Sequence, residues 1–382
     1  MKKSLMLVLV FILVLNVFLV GCGGGAETPS EEGVSAGIVN PEALATELEQ
    51  YTVQGEYTLD ADPIDVKSIM ADKSVYVIPA SVSTPFNAEA CGTMLDICSD
   101  LGIKADWYST NGTIDSWIAA IETAVNQNYS IIGGFSGVIP EVLSSQIEYA
   151  ESKGIPHVDL HFHDFADADS CDATYCLPAG YEEAGRVLAL WAIQSTGGEG
   201  DVAIVTSREL DASIAMEKGI ESAFEEFAPD MGRDYIHVVV TDWATKIQTE
   251  VQSALLANPD IKYVIAIYDV MTTYVVPAIE AVGKTGEVKI CTYNGSPHAL
   301  DFVNQGLVEM DLGESLDNMA YCLLDQMFRI SGGMDPLPSE NPPFFMWTED
   351  NVASAIGPDG KAGYGGYDQS YKEFYKELWM LD

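Results

Sequence analysis

The sequence SVYVIPASVSTPF occupies residues 74–86. Its first five residues are mostly β-branched or aromatic, and this composition predicts a short, buried β-strand. The segment from Asn87 to Leu101 is amphipathic and predicts a helix. A short apolar strand followed by a helix is the unit from which parallel α/β sheets are built.

The same unit recurs along the chain. Further strands are predicted at 129–133, 155–160, 201–206, 235–240, 263–267 and 288–293. Helices are predicted at 113–128, 140–153, 179–194, 212–227, 244–257 and 270–282. This order predicts an α/β fold with two Rossmann-like parallel-sheet lobes. Ligands bind at the carboxyl ends of strands in such sheets, so we expect the functional site there.

The first 22 residues have the pattern of a bacterial lipoprotein signal. Lys2 and Lys3 precede an apolar stretch at 5–20, which leads to Gly21 and Cys22. We expect cleavage before Cys22, lipid attachment to its thiol, and an extracytoplasmic protein anchored to the cell membrane by that lipid. The alternative is an uncleaved anchor, because the apolar stretch is near the shortest length that spans a bilayer.

The chain is strongly acidic. It contains 18 Lys and Arg against 58 Asp and Glu, a net charge of −40, and removal of residues 1–21 makes this −42. Such a surface repels nucleic acid and anionic lipid headgroups. We therefore expect no nucleic-acid partner, and membrane contact only through the lipid.

Cysteine and histidine spacing indicates no metal centre. Besides Cys22, six cysteines are present, and only Cys171 and Cys176 are close enough for a local disulfide. Six buried, reduced thiols are an equally good interpretation. Three histidines cluster between residues 157 and 163, but no second ligand group follows at the spacing of zinc sites. We expect neither a metal nor a cofactor.

Recognisable catalytic motifs are missing from the sequence. Residues 133–137, GGFSG, match the Gly-x-Ser-x-Gly serine elbow only loosely. No Gly-x-x-x-x-Gly-Lys-Ser/Thr phosphate loop occurs. The sequence therefore favours a binding protein over an enzyme.

Several motifs together resemble a known family. They are VIPASVSTPF at 77–86, KGIPHV at 153–158, ANPDIKYVIA at 257–266 and YNGSP at 293–297. Their order and spacing resemble the ribose-type family of periplasmic sugar-binding proteins, from Val75 to about Gly332. The resemblance implies a type I periplasmic-binding-protein fold, in which three hinge crossings join two lobes.

The resemblance also implies domain boundaries. We expect a signal peptide at 1–21, a lipid-anchored linker at 22–72, an N-terminal lobe at 73–177 plus 315–333, a C-terminal lobe at 178–314, and a C-terminal extension at 334–382. Crossings are expected near 176–178, 294–296 and 313–315. Within the linker Leu44, Leu48, Tyr51 and Tyr57 are too apolar for a pure tether, so part of 41–70 is expected to pack on the body.

Candidate ligand-binding residues follow from the same resemblance. They are Thr84, Phe86, Phe135, His161, Phe162, Met216, Trp243, Tyr268, Asp269, Asn294 and Glu314. Where sugar-binding relatives carry an Asp-Arg pair and a second Arg, this chain has His161-Phe162 and Met216. Without guanidinium groups a carboxylate or phosphate lacks its bidentate partner, so an anionic ligand is disfavoured. Ordinary core packing is the alternative for Phe135, and helix capping for Asp269.

This residue set suits a small, neutral or cationic ligand. Aromatic faces with one or two carboxylates favour a sugar or polyol, with a nucleoside-like, aromatic or amine ligand as the alternative. The family resemblance implies that the ligand closes the lobes, and that the closed form docks on the permease subunits of an ABC importer. A sensor that presents its closed form to a membrane receptor is the other possibility.

Overall fold

A computed structural model describes residues 37–337 and 340–381 of the chain. The predicted signal peptide, Cys22 and the first part of the predicted linker, up to residue 36, lie outside the described residues. Strands and helices alternate through most of the remainder.

The strands are short. They are β1 Ser74–Pro79, β2 Lys104–Trp107, β3 Ile131–Phe135, β4 His157–Asp164, β5 Tyr175–Ala179, β6 Asp201–Thr206, β7 Arg233–His237, β8 Ile261–Ala266, β9 Lys289–Asn294, β10 Met310–Gly313 and β11 Phe345–Thr348.

The helices are α1 Pro41–Glu49, α2 Val66–Ile69, α3 Pro85–Asp100, α4 Ile114–Asn126, α5 Ser144–Glu151, α6 Tyr181–Thr196, α7 Asp211–Phe227, α8 Trp243–Ala257, α9 Thr272–Ala281, α10 Pro297–Asn304, α11 Leu316–Ser331 and α12 Ser370–Leu378. Within the described ranges, none of them has the length and hydrophobicity that a membrane span requires.

The strands form two sheets, each with its own hydrophobic core. The first has the order β2-β1-β3-β4-β5 and is parallel throughout. The second has the order β11-β10-β9-β8-β6-β7, and only β11 runs antiparallel. Separate cores surround the two sheets. The predicted α/β fold with two parallel-sheet lobes is confirmed.

The sequence did not predict four of these strands, namely β2, β5, β10 and β11. The edge strand β2 reads KADW and alternates between exposed and half-buried positions. The strand β10 reads MDLG and is buried throughout, although it contains a carboxylate. Segments of four residues with a charged or polar member lack the continuous apolar run that marks a buried strand in a sequence.

Between β1 and α11 the backbone passes between the lobes after β5, at residues 179–181, and after β10, at residues 313–316; it returns to the second lobe between α11 and β11. The crossing expected near 294–296 is wrong. Strands β9 and β10 are parallel neighbours in the second sheet, and α10 joins them over the core of the same lobe. A strand-helix-strand unit of this kind keeps its connection on one sheet.

Segments at both ends of the described chain pack on both lobes. Leu44 and Leu48 of α1 lie in the core of the second lobe, whereas Tyr57 lies in that of the first. Beyond α11, strand β11 joins the second sheet, and α12 buries Tyr371 and Tyr375 in the core of the first lobe. The domain boundaries given above remain predictions.

Helices α6 and α7 approach each other closely through two glycines. A Cβ atom on Gly185 would lie 2.0 Å from the carbonyl oxygen of Met216, and one on Gly219 would lie 1.9 Å from that of Glu182. Backbone atoms cannot yield as a flexible side chain can. The helix pair, which begins the second lobe, therefore depends on the absence of side chains at these positions.

We predict that Gly219→Ala lowers the free energy of unfolding by about 1–3 kcal/mol, because it overpacks this contact. The matched control is Gly92→Ala in α3, where an added Cβ meets nothing within 4 Å. That change should raise the free energy of unfolding by about 0.5–1 kcal/mol, since alanine favours a helix interior. Urea unfolding of both variants measures the difference, and equal stabilisation by both would contradict the packing argument.

Candidate ligand-binding site

Most predicted site residues lie at or just beyond the carboxyl ends of strands. Phe86 follows β1, Phe135 ends β3, Tyr268 follows β8, and Asn294 ends β9. The two lobes contact each other beside these strand ends, where Lys218 Nζ of α7 lies 3.6 Å from Asp167 Oδ2 of the first lobe. These four predicted residues therefore lie on the side of their sheets where the lobes meet.

Glu314 connects the lobes at the passage that follows β10. Its Oε1 lies 3.1 Å from His161 Nε2 of the first lobe. The same oxygen accepts a 2.5 Å hydrogen bond from the hydroxyl of Tyr293 in the second lobe. All three side chains are buried. A buried carboxylate is stable only with such partners, so Glu314 holds the middle of β4 and the end of β9 together.

An irregular backbone places His161 at this junction. His161 has a φ of 55°, and the register between β4 and β5 shifts between Leu160 and Asp164. The imidazole stacks on Phe135 with a centroid distance of 6.0 Å and an interplanar angle of 14°. Its Nδ1 is buried and has no hydrogen-bond partner among the described residues. This nitrogen is therefore one of the polar atoms that the described part of the first lobe leaves without a partner.

Aromatic rings form the rest of that wall. Phe86 stacks on Phe135 at 5.8 Å and lies 5.9 Å from the His161 ring. Phe162 does not stack on these rings and instead meets the neighbouring His163 edge-on at 5.1 Å. Thr84 precedes α3 and is half-buried.

A second pair of rings belongs to the second lobe. Trp243 lies 5.9 Å from Tyr268 with an interplanar angle of 34°. The indole Nε1 donates to Ser207 Oγ at 2.7 Å and to the carbonyl of Val238 at 3.1 Å. The Tyr268 hydroxyl pairs with Ser213 Oγ at 3.0 Å. These bonds fix both ring planes, while Trp243 stays partly exposed.

Asp269 organises the turn between β9 and α10. Its Oδ2 accepts hydrogen bonds from the backbone N–H of Ser296, at 2.9 Å, and from the Ser296 hydroxyl. Its Oδ1 accepts a longer bond of 3.4 Å from Asn294 Nδ2. Asp269 is buried, and its charge adds to burial in raising the pKa of Asp311 well above the usual range. Asp269 thus supports Asn294, whose side chain is more exposed.

Comparison with known proteins identifies the family. Residues 75–334 match the family described as "Periplasmic binding protein domain". The chain belongs to this family. The type I periplasmic-binding-protein resemblance noted from the sequence is therefore confirmed.

Individual relatives agree with this assignment. The chain is 26% identical over 257 residues to the D-allose-binding periplasmic protein of Escherichia coli (strain K12), which covers 63% of this chain and 78% of that protein. A solute-binding protein from Agrobacterium vitis, solved with α-D-tagatopyranose, has a TM-score of 0.67 at 13% identity and covers 76% of this chain and 100% of that one.

A further solved structure, from Actinobacillus succinogenes 130z and containing D-allose, has a TM-score of 0.66 at 17% identity, with 74% of this chain and 99% of that chain covered. At these identities the solved structures show a shared fold alone.

Sequence reasoning missed two tyrosines at the lobe interface of this periplasmic binding protein. Tyr181 opens α6, and its hydroxyl donates a 3.0 Å bond to the carbonyl of His161 across the lobes. Burial raises the pKa of Tyr181 and Tyr293 well above the usual value, and Glu314 and Tyr268 act in the same direction, so both hydroxyls are neutral donors. Tyr181 follows β5, which was itself not predicted, and Tyr293 was assigned to a strand and to the motif at 293–297 but not to the ligand-binding residues.

The structure does not bring every predicted residue into this group. Met216 has no exposed surface and lies in the second-lobe core beside the α6–α7 contact. Three open depressions lie away from the lobe interface, among them one bordered by Asp201, Asp260 and Lys262 at the amino ends of strands. The ligand-binding assignments therefore remain predictions, and the lobe interface is the place to test them.

We predict that Glu314→Leu lowers the free energy of unfolding by about 2–4 kcal/mol, because His161 and Tyr293 each lose a buried hydrogen-bond partner. Glu314→Gln should cost less, since its amide group still offers an oxygen and a nitrogen to the same neighbours. Urea unfolding at neutral pH compares the two variants. A leucine variant as stable as wild type would show that the bridge adds nothing to stability.

Proposed function

We propose that this protein captures a sugar or polyol between its two lobes and delivers it to an ABC importer without chemical change. The observation that carries the proposal is the Glu314 bridge, which joins His161 of the first lobe, stacked on Phe135, to Tyr293 of the second lobe. A ligand favours lobe closure only through contacts with both lobes, and this junction is where such contacts are available.

The groups at the junction match the chemistry of a sugar. Phe86 on one side and the Trp243–Tyr268 pair on the other offer faces for the apolar C–H surface of a pyranose or furanose. His161 Nδ1 and the Asn294 amide are polar groups for ring hydroxyls. Few polar groups on mostly aromatic walls are typical of small-molecule sites.

The arginines argue against an anionic ligand. Each of the four in the sequence is paired with a carboxylate: Arg186 with Glu47, Arg208 with Glu217, Arg233 with Glu221, and Arg329 with Asp325. None of these pairs includes a predicted site residue. A phosphate or carboxylate ligand would have to compete for these guanidinium groups, whereas a neutral sugar would not.

The relatives support the sugar class. The Escherichia coli protein is named for D-allose binding, and the two solved structures contain D-allose and α-D-tagatopyranose. An amine or nucleoside-like ligand is the second candidate. The exposed part of Trp243 and the net charge of −40 favour it, because both attract cations.

A thermal-shift screen of sugars, polyols, nucleosides and amines tests the proposal. At a hundredfold excess over its dissociation constant, a true ligand should stabilise the protein by about 3 kcal/mol. We predict that Trp243→Ala removes this shift without unfolding the protein. The control is Trp107→Ala, which removes a similarly half-buried indole from β2, at the edge of the first sheet, and should leave the shift unchanged.

Stabilisation by sugars alone would support the proposal, whereas stabilisation only by amines or nucleosides would replace it with the second candidate. Wild-type affinity in Trp243→Ala would show that the ligand binds elsewhere.

Delivery to the importer is tested separately, by ligand-dependent co-purification with the permease subunits. Docking on a receptor instead of a permease would indicate a sensor.

We also propose that the protein is anchored outside the cytoplasmic membrane by lipid on Cys22. The family supports an extracytoplasmic location, and the sequence before Cys22 supports the anchor. We predict that Cys22→Ser abolishes incorporation of labelled fatty acid and releases the protein from the membrane fraction. Cys98→Ala, which changes a buried thiol in the first-lobe core, is the control. Persistent labelling of Cys22→Ser would exclude Cys22 as the lipid site.

A further inference from the structure

A second group of polar side chains lies in the first lobe, apart from the Glu314 bridge. It consists of Asp159, His163, Cys171 and Cys176. Each offers one donor atom, and these atoms all lie within 4.8 Å of one another. Asp159 and His163 come from β4, Cys176 from β5, and Cys171 from the segment that joins the two strands. Both cysteines are free.

The bend at His161 creates this group. Residues four apart in a regular strand are separated by about 13 Å, so Asp159 and His163 could not meet in one. Here His163 Nδ1 lies 2.8 Å from Asp159 Oδ2, because β4 is irregular between Leu160 and Asp164, where His161 has a positive φ. Cys176 Sγ donates to the same carboxylate oxygen at 3.5 Å.

The donor set is that of a zinc site. Two thiolates, an imidazole nitrogen and a carboxylate oxygen are ligands that Zn²⁺ takes in tetrahedral geometry, at about 2.0–2.3 Å. Donors around such an ion lie about 3.3–3.8 Å apart, so a cluster within 4.8 Å needs only small side-chain adjustments to surround one. Four protein ligands leave no open position, as in structural zinc sites.

The surroundings of His163 also match those of a metal ligand. While Nδ1 faces the cluster, Nε2 lies 3.4 Å from Glu141 Oε1 and 3.9 Å from Asp211 Oδ2. Metal-bound histidines usually donate their second N–H to a carboxylate in this way. The other Asp159 oxygen, Oδ1, is buried and has no hydrogen-bond partner among the described residues. A buried carboxylate that is only half satisfied favours a bound cation.

We propose that Asp159, His163, Cys171 and Cys176 form a structural binding site for a divalent, thiophilic metal ion such as Zn²⁺. Binding converts both thiols to thiolates and also displaces the proton shared by His163 Nδ1 and Asp159 Oδ2, so three protons are released to solvent. The ion would clamp the segment 165–174 between β4 and β5. Asp211, which belongs to α7, would then hold the metal-bound His163 towards the second lobe. The sequence spacing indicated no such site, so this proposal departs from the earlier expectation.

Cobalt and zinc titrations of the reduced, chelator-treated protein test the site. We expect one equivalent of Co²⁺ to bind with a thiolate-to-cobalt charge-transfer band, and one equivalent of Zn²⁺ to displace it and raise the melting temperature. The double variant Cys171→Ser with Cys176→Ser should lose the band. Glu141→Gln should keep the band but weaken zinc binding by about 10- to 100-fold, since it alters only the support of His163.

Cys98→Ala removes a buried thiol outside the cluster and should bind both metals as wild type does. Circular dichroism establishes that each variant is folded. The proposal is overturned if wild type shows no cobalt–thiolate band, or if the double variant binds zinc with unchanged affinity. A Cys171–Cys176 disulfide in protein isolated from zinc-containing medium would equally overturn it, because oxidised sulfurs cannot act as thiolate ligands.

Discussion

The burial of the Glu314 carboxylate is the constraint on which the lobe interface depends. A charge removed from water needs partners, and its two partners come from different lobes, His161 of β4 and Tyr293 of β9. The arrangement therefore requires the two strand ends to lie together. The aromatic walls then follow, because Phe86 and Phe135 stack around His161, whose own carbonyl is held by Tyr181.

The C-terminal segment that follows β11 contacts the same region. The Tyr367 hydroxyl lies so close to the passage between the lobes that a Cβ atom on Gly313 would approach it to 2.0 Å, and one on Gly295 to 2.1 Å. Tyr364 donates a 3.0 Å hydrogen bond to Glu89 of the first lobe. Movement of the lobes must therefore rearrange contacts of this segment as well as those of the Glu314 bridge.

The strained residue His161 positions side chains in two parts of the first lobe. Non-glycine residues rarely adopt positive φ, and His161 does so in the middle of β4. The irregularity directs its imidazole towards Glu314 and Phe135, and it also brings His163 within hydrogen-bond distance of Asp159. The Glu314 bridge and the proposed metal site thus share a backbone irregularity, since a regular strand would have separated these side chains.

By itself the sequence determined the repeating strands and helices, the two lobes and the family, because apolar periodicity and local motifs act over short distances along the chain. Only the tertiary structure decided which polar groups meet. The partnership of Glu314 with His161 and Tyr293, the burial of Met216 in the α6–α7 core and the grouping of Asp159 with Cys171 all depend on strand order and on one bend in β4. These contacts join residues that are far apart in the sequence or that an irregular φ brings together. Neither kind of contact leaves a periodic signal in the sequence.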